Sequence, residues 1–427
     1  MNQKIYKYDI NVKVIFTEDS EYKDKSYEIN SRNVVNLSVS NDYLNTLYPV
    51  TFLQFSLSER DYYFILENKN DVRLLITLTA YLVEDSSTLE EYLSKKVPYG
   101  KNIVMQKVFR MYFDDVSPYN ERKIHEEDPL KTDTSEFKVL STYLFAEDNL
   151  EKNKHDINFV LNNLTISDAL IYICNKSKVT DLIFKDPDNT KVYEQILCPP
   201  LKLKQSVKHL QENYGIYNEG SFLYQDFKRT YLLPKSFKEA TTEEKEVDKV
   251  YILLNDVSGE NSNMNITSSY NEKYEAYMIS TFNNIKITNN ANFDKEIVGD
   301  KITIINANNT NEDNEVMEIP LNSYVSSNGV TKNKNVVYYN DNKYTITEYY
   351  HDIINNQIII DMELMNIDVS YITPNKEYVL LFENSDDNKK YGGNYNIKSF
   401  VYSISRDLGG AVDFQLNCQL RLNKVMY

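Results

Sequence analysis

A two-residue alternation of apolar and polar side chains is the feature that most constrains how this chain can fold. Side chains on a β-strand point alternately to its two faces, so the alternation predicts half-buried strands. Near the start of the chain the apolar set is Tyr6, Tyr8, Ile10, Val12 and Val14. Near its end the set is Val412, Phe414, Leu416, Cys418, Leu420 and Leu422. A half-buried strand as long as the second is typical of a barrel or an extended sheet.

Two other segments, 103–113 and 137–146, are apolar on both faces. Such runs predict central strands, or strands that another domain or subunit covers. Their apolar faces are expected to close on neighbouring subunits. Further strands are predicted after residue 249, in YILLND, EAYMIS, NIKIT, KITII, VVYYN and KYTITEYY.

Between residues 161 and 235 the apolar period becomes helical. Thr165 and Asp168 form a capping-box pattern at the start of one predicted helix. A second helix is predicted from the apolar face Leu203, Val207, Leu210 and Tyr214. Gly215 is expected at the C′ position of that helix, where φ is positive, and Gly220 in the turn of a hairpin. A phosphate-binding loop places its glycines before a helix, so these two are predicted to be structural.

The resulting fold class is β-dominated α+β and multi-domain, with two β-rich parts and an intervening small α/β domain. The predicted limits are 1–160, 161–235 and 236–427. A short helix is also possible at STLEEYLSKK, an exposed connector is predicted at 235–249, and a bulge or bend is predicted near Met365 and Asn366.

Composition excludes several functional classes. The formal net charge of −16 argues against binding to nucleic-acid phosphate or an anionic membrane surface. Only 10 glycines occur, which argues against a glycine-loop nucleotide enzyme. Cys174, Cys198 and Cys418 are too few and too far apart for a disulfide framework and are predicted to be buried. No run is long and apolar enough to predict a membrane-spanning helix.

Candidate chemistry is sparse, and no catalytic, cofactor-binding or metal-binding residue and no cofactor is predicted. The four histidines, His125, His155, His209 and His351, form no zinc or protease motif. The acidic run after His125 and the DPDN sequence at 186–189 are interpreted as a solvated loop and a turn. An alternative function is glycan binding on aromatic pairs, for which the candidates are Tyr338, Tyr339, Tyr349 and Tyr350.

Residues 161–235 resemble the baseplate central hub proteins of contractile-tailed bacteriophages and related injection machines. The segments NLTISDALIYICNK and LKLKQSVKHLQENYGIYNEGSFLYQDFKRTYLL carry the resemblance. The matching positions are Thr165, Ser167, Asp168, Leu170, Leu210, Gly215, Tyr217, Gly220, Asp226, Phe227 and Tyr231.

The resemblance implies that the two β-rich parts are two β-barrel-like domains, which can draw on discontinuous segments of the chain. It also implies a structural, non-enzymatic protein of the virion tail, synthesised in the host cytoplasm. Hub subunits form a homotrimer whose paired barrels make a pseudo-sixfold ring, and the ring joins the tail tube to the central spike. The implied partners are copies of the chain, the tube protein and the spike protein. An acidic inner wall would suit a conduit for DNA, because like charges do not adhere. The alternatives are a receptor- or glycan-binding tail component and a cell-wall hydrolase.

Overall fold

The computed structural model describes residues 4–84, 101–113, 137–236, 249–255, 267–271, 276–282, 285–289, 301–306, 316–320, 336–339, 344, 347–348, 351–352, 358–406 and 414–425. The described chain is mostly β-structure, as predicted. Its strands are β1 (Lys4–Phe16), β2 (Tyr27–Ile29), β3 (Val34–Asp42), β4 (Val50–Ser58), β5 (Val72–Glu84), β6 (Lys101–Tyr112), β7 (Phe137–Ala146), β8 (Ile157–Thr165), β9 (Leu182–Phe184), β10 (Val192–Leu201), β11 (Ser221–Gln225), β12 (Thr230–Pro234), β13 (Lys249–Asn255), β14 (Thr267–Asn271), β15 (Ala276–Phe282), β16 (Ile285–Asn289), β17 (Lys301–Asn306), β18 (Val316–Pro320), β19 (Val336–Tyr339), β20 (Ile358–Met365), β21 (Glu377–Phe382), β22 (Gly393–Arg406) and β23 (Phe414–Lys424). The α-helices with defined bounds are α1 (Glu59–Glu67), α2 (Glu147–Lys152), α3 (Ile166–Lys176), α4 (Leu203–Asn213) and α5 (Ser385–Tyr391).

Eight strands close into an antiparallel ring. Their order is β22, β3, β4, β7, β6, β5, β1 and β23, and β23 pairs again with β22. The last closure between β1 and β23 is made where Tyr8 lies opposite Phe414. Closing a sheet on itself leaves no unpaired edge, which is how a barrel avoids uncontrolled strand pairing.

The ring shares its two last strands with a second set of strands. β22 pairs with β21 through Gly393–Tyr395 and with β3 through Ser399–Ser405. β23 pairs with β20 along most of its length, and β13, β14, β15 and β16 extend this second set. The prediction of two barrel-like parts is confirmed in fold class. The domain limits at residues 160 and 235 stay predictions. The closed ring is discontinuous in sequence, since strands near the end of the chain complete a ring that residues 4–146 begin.

Side chains fill the inside of the closed ring. Tyr8, Ile10, Leu37, Phe55 and Phe109 are all completely buried there. The Tyr8 hydroxyl donates a hydrogen bond to the carbonyl of Ile367 and accepts one from the N–H of Val369. An eight-stranded barrel has an interior just wide enough for packed side chains, so this ring is solid rather than a pore.

The small α/β unit has a core of its own. β8 and β10 form a two-stranded antiparallel ribbon, and β11, β12 and β9 form a three-stranded sheet. Helices α3 and α4 contribute Ile166, Leu170, Leu203, Val207 and Leu210 to this core. The Thr165–Asp168 capping box at the start of α3 is confirmed, with both reciprocal bonds present.

One strand prediction was wrong. KYTITEYY was expected to be a strand, but the described residues Tyr344, Thr347 and Glu348 are helical. The alternation of β-branched and aromatic side chains favoured a strand locally, whereas burial of Tyr344, Thr347 and His351 follows helical spacing. The predicted bend is confirmed at Asn366, whose φ is 50°. The predicted STLEEYLSKK helix and most of the 235–249 connector lie outside the described residues.

Candidate assembly surfaces

The outer surface of the closed ring carries a cluster of aromatic rings, which we call the aromatic face. It lies on β4, β6 and β7 and includes one residue just before β4. β6 and β7 correspond to the two segments predicted to be apolar on both faces. Tyr112 and Tyr143 expose 41% and 44% of their surface, large fractions for rings on a folded sheet. The aromatic face consists of Tyr48, Phe52, Tyr112, Tyr143 and Phe145.

Strand register builds the aromatic face. Tyr143 on β7 lies opposite Phe52 on β4 and opposite Tyr112 on β6, so three rings form a row across three adjacent strands. The ring centroids of Phe52 and Tyr143 are 5.2 Å apart, and those of Tyr112 and Phe145 are 5.1 Å apart. Cross-strand ring pairs stabilise a sheet modestly, but their outer sides stay in water unless a partner covers them.

Ion pairs hold helix α2, which leads from the ring to the small unit, against the ring beside the aromatic face. Glu147, at the start of α2, accepts hydrogen bonds from Arg73 on β5 and Arg110 on β6 at 2.5 and 3.1 Å. Lys107 pairs with Asp148 at 2.5 Å. These contacts hold α2 across two strands of the ring, and they fix where the chain leaves the ring to enter the small unit.

Gly215 has the structural role that the sequence predicts. Gly220 is also structural, but its predicted place in a hairpin turn was wrong. It lies in the turn between α4 and β11, whereas the hairpin of β11 and β12 turns after Gln225. Both glycines have φ of 81°, a region that side-chain-bearing residues rarely adopt. The N–H of Gly215 donates to the carbonyl of Leu210 at 2.9 Å and ends α4 as a C′ glycine. Gln211 then stabilises the loop, because its side-chain oxygen accepts from the N–H groups of Ile216 and Tyr217, both at 3.1 Å.

The DPDN turn has a role that the sequence did not reveal. The side-chain amide of Asn189 donates to the carbonyls of Tyr214 and Gly215, both at 2.9 Å. Asp188 accepts from the N–H of Asn218 at 2.8 Å. The turn therefore holds the loop after α4 in place and satisfies its backbone groups. Only the tertiary contact brings these distant segments together.

The same loop also receives residues from the second half of the chain. A Cβ atom added to Gly215 would lie 2.0 Å from the ring of Tyr344, and one added to Gly220 would lie 2.4 Å from the carboxyl carbon of Glu348. Lys235 pairs with Glu348 at 2.7 Å and with Asp352 at 2.9 Å. Glycine is thus required here for close approach as well as for backbone conformation.

The hairpin between β11 and β12 packs against the closed ring at its tip. Phe227 is buried and meets Phe109 edge to face, with ring centroids 5.7 Å apart. Burial raises the pKa of Asp226. The Tyr231 hydroxyl and the N–H groups of Lys228 and Arg229 oppose that rise by donating to its carboxylate. The QDF sequence therefore forms a buried joint between the small unit and the ring.

The sequence candidates for chemistry are dispersed. His155 lies between α2 and β8, and His209 lies on α4. His125 falls outside the described residues, as do Tyr349 and Tyr350. Tyr338 and Tyr339 lie in β19, whose side chains are not described. Cys174, Cys198 and Cys418 are free and buried, as predicted.

The described part of the chain contains neither a candidate metal site nor a membrane-spanning helix. Among those residues, no group of three or more His, Cys, Asp or Glu side chains could hold a metal ion. No helix there has both the length and the apolar character needed to cross a membrane.

Comparison with known families assigns the chain. A family model described as the bacteriophage PBS1 gene 109 protein matches residues 3–422. The chain belongs to this family. A search of curated protein sequences finds no significant match.

The chain is also similar to several solved structures. It is similar to the tail protein from Neisseria meningitidis MC58, with 11% identity, a TM-score of 0.48, and coverage of 98% of this chain and 97% of that one. The 43 kDa tail protein of prophage MuSo2 from Shewanella oneidensis is 9% identical with a TM-score of 0.45, and the match covers 98% of this chain and 96% of that one. A chain of the Francisella PdpA-VgrG complex is 11% identical with a TM-score of 0.47, and the match covers 98% of this chain and 53% of that one. The resemblance to phage tail proteins stated from the sequence is confirmed by the family match.

Proposed function

We propose that this protein is a structural subunit of a phage tail hub, and that several copies form a ring joining the tail tube to the central spike. It acts by assembly, and it has no catalytic role. Membership of a bacteriophage family and the two linked barrel-like parts support this function. The observation that carries it is the aromatic face, an apolar surface on the outside of a ring whose inside is already full.

Sheet stability alone does not require the aromatic face. The inward residues of β4 and β7, such as Leu53, Phe55 and Leu144, already bury the apolar layer that these strands need. Aromatic residues are enriched in the cores of protein interfaces, where they lose contact with water when partners meet. Covering the outer sides of Tyr112 and Tyr143 would bury apolar area at about 25 cal/mol per Å².

A DNA conduit would have to lie between copies and not through one copy. Tyr8, Phe55 and Phe109 fill the closed ring, so a duplex cannot pass through it. A lumen surrounded by several subunits, with walls drawn from a chain of net charge −16, would repel DNA phosphate and let the duplex slide. The homotrimer implied by the sequence resemblance is the simplest ring of this kind.

The experiment is co-expression of the chain with the tube and spike proteins of its own phage, followed by affinity purification and mass measurement of the complex. The expected product contains three copies of this chain with both partners. Tyr143→Asp should lower the amount of complex by about tenfold or more, whereas Asn417→Asp, which adds the same charge on the opposite side of the ring, should leave it intact. A chain that binds neither partner and remains monomeric would contradict the proposal.

A further inference from the structure

The closed ring is joined weakly at one place, the seam between β1 and β23. The described residues pair across it only where Tyr8 lies opposite Phe414, because β20 occupies the same edge of β23 at Asn417–Asn423. The next shortest pairing in the ring, between β6 and β7, aligns Phe109–Tyr112 with Tyr143–Ala146. A folded sheet opens locally where few backbone bonds have to break. The seam is therefore the place where this ring opens at the lowest cost in free energy.

One residue, Asn366, fills the seam beside that single pair. It follows the last residue of β20, at the point where β20 and β1 diverge from β23. Its N–H donates to the carbonyl of Leu416 at 3.0 Å, and its carbonyl accepts from the N–H of Tyr6 at 3.2 Å. Its side-chain oxygen accepts from the N–H of Leu416 at 3.1 Å. A residue that belongs to neither strand thus joins β1 to β23.

The residues that follow Asn366 are held by buried side chains from both parts of the β-structure. We call residues 366–370 the latch. The Tyr8 hydroxyl, inside the closed ring, bonds to two backbone groups of the latch. The N–H of Asp368 donates to the hydroxyl of Tyr277 on β15 at 2.8 Å, and Asn102 on β6 donates to the Asp368 carboxylate at 3.1 Å. The latch therefore connects the closed ring to the second set of strands.

Two features lower the cost of releasing the latch. Asp368 is only 1% exposed, and burial raises the pKa of its carboxyl group. Release would return this carboxyl group to water and recover the hydration that burial removes. A cavity of about 60 Å³ also lies between the latch and the tip of the β11–β12 hairpin, and its lining includes Asp226, Lys228 and Ser370. The latch is thus not packed tightly against the hairpin.

We propose that the latch is a conformational switch, whose release opens the closed ring between β1 and β23 while the other strand pairs of the ring stay formed. Release also breaks the bond between Asp368 and Tyr277, so the second set of strands gains freedom to turn relative to the ring. The inference goes beyond the proposed function and holds whether or not copies of the chain assemble.

Native-state hydrogen–deuterium exchange of the full-length protein, measured at single amides in low concentrations of denaturant, tests the switch. The amides of Tyr6, Asp368, Val369 and Leu416 should exchange together, with a weak dependence on denaturant, because their opening exposes little surface. The amide of Leu53 on β4, which is paired on both sides, should exchange only by global unfolding and depend steeply on denaturant.

A variant of the latch should make this opening easier. Asn366→Gly keeps a residue that tolerates the φ of 50° but removes the side-chain bond to Leu416, so the Tyr6 and Leu416 amides should exchange about fivefold faster or more. Asn163→Gly, at a φ of 55° in the small unit, is the matched control and should leave both rates unchanged. Tyr8→Phe removes only a hydroxyl and should act in the same direction as Asn366→Gly.

A variant outside the latch separates opening from unfolding. Ile65→Val on α1 removes one buried methyl group and should speed exchange at Leu53, but leave the latch amides unchanged, because α1 stays packed in the opened state. Two results would overturn the proposal. One is exchange of the latch amides at the rate and denaturant dependence of Leu53. The other is an equal effect of Ile65→Val on Leu53 and on the latch.

The assembly of copies is measured separately, so a failed switch leaves the hub function standing.

Discussion

Two outer faces of the same closed ring have opposite characters. On β23 the outward residues are Gln415, Asn417, Gln419 and Arg421, all exposed and polar. On β4, β6 and β7 the outward set includes four of the five rings of the aromatic face, and the fifth, Tyr48, lies just before β4. Inward, both regions alternate in the same way, with buried Leu416 and Leu420 on β23 and buried Leu140 and Leu144 on β7.

The contrast separates what folding requires from what assembly requires. Each strand needs one apolar face for the core, and both regions supply it. The polar face is normal for a surface that stays in water; a groove of about 330 Å³ there is lined partly by Ser38, Ser403, Asn417 and Gln419. The second apolar surface on β7 is in excess of the core, so it is best explained by a partner that covers it.

The largest effect is expected inside the ring, where the two regions are alike. Leu144→Ala and Leu416→Ala each remove a completely buried side chain and should lower the free energy of unfolding by about 2–5 kcal/mol. Chemical denaturation of the purified variants measures this. If one variant were neutral, the two inner layers would not be equivalent and the comparison of outer faces would lose its basis.

An intermediate effect is expected from adding one negative charge to each outer face. Tyr143→Asp should weaken self-association by about tenfold or more, equivalent to about 1.4 kcal/mol, because a charge would have to be buried in an apolar contact. Asn417→Asp, its control on the polar face, should leave the association constant unchanged. Sedimentation equilibrium of both variants decides the matter, and equal behaviour would remove the distinction between the faces.

The smallest effect is expected from an ion pair on the polar face. Arg421 contacts Asp361 at 2.6 Å, and the Arg421 side chain is 50% exposed. Arg421→Ala should therefore cost less than about 1 kcal/mol of unfolding free energy, and the difference should shrink in high salt. A larger loss of unfolding free energy would mean that folding depends on this ion pair. A change in self-association would mean that this face is also part of an interface.

Local patterns predicted much of the fold. Alternation placed β1 and most of β23, and the capping pattern placed the start of α3, because each depends on residues close together in sequence. The closure of the ring depends on long-range pairing such as Ser399 with Asp42, which no local pattern contains. The helical state of Tyr344 was missed for the same reason, since its packing against Gly215 is a tertiary contact.

The candidate surfaces were predictable to different degrees. The runs at 103–113 and 137–146 predicted an outward apolar surface, and β6 and β7 bear it out with exposed Tyr112 and Tyr143. The row of rings across β4, β7 and β6 could not be predicted, because the register that places Tyr143 opposite Phe52 and Tyr112 is set by long-range pairing. The sequence shows which segments are apolar, whereas the register between distant strands is a property of the assembled sheet.

A cryo-electron microscopy map of the intact phage tail would test the central claim most directly. We expect copies of this chain to surround the tail axis at the junction of tube and spike, with Tyr112 and Tyr143 of each copy buried against its neighbour. A map in which the chain lies at the tail periphery as separate copies, with those two tyrosines in solvent, would contradict the account.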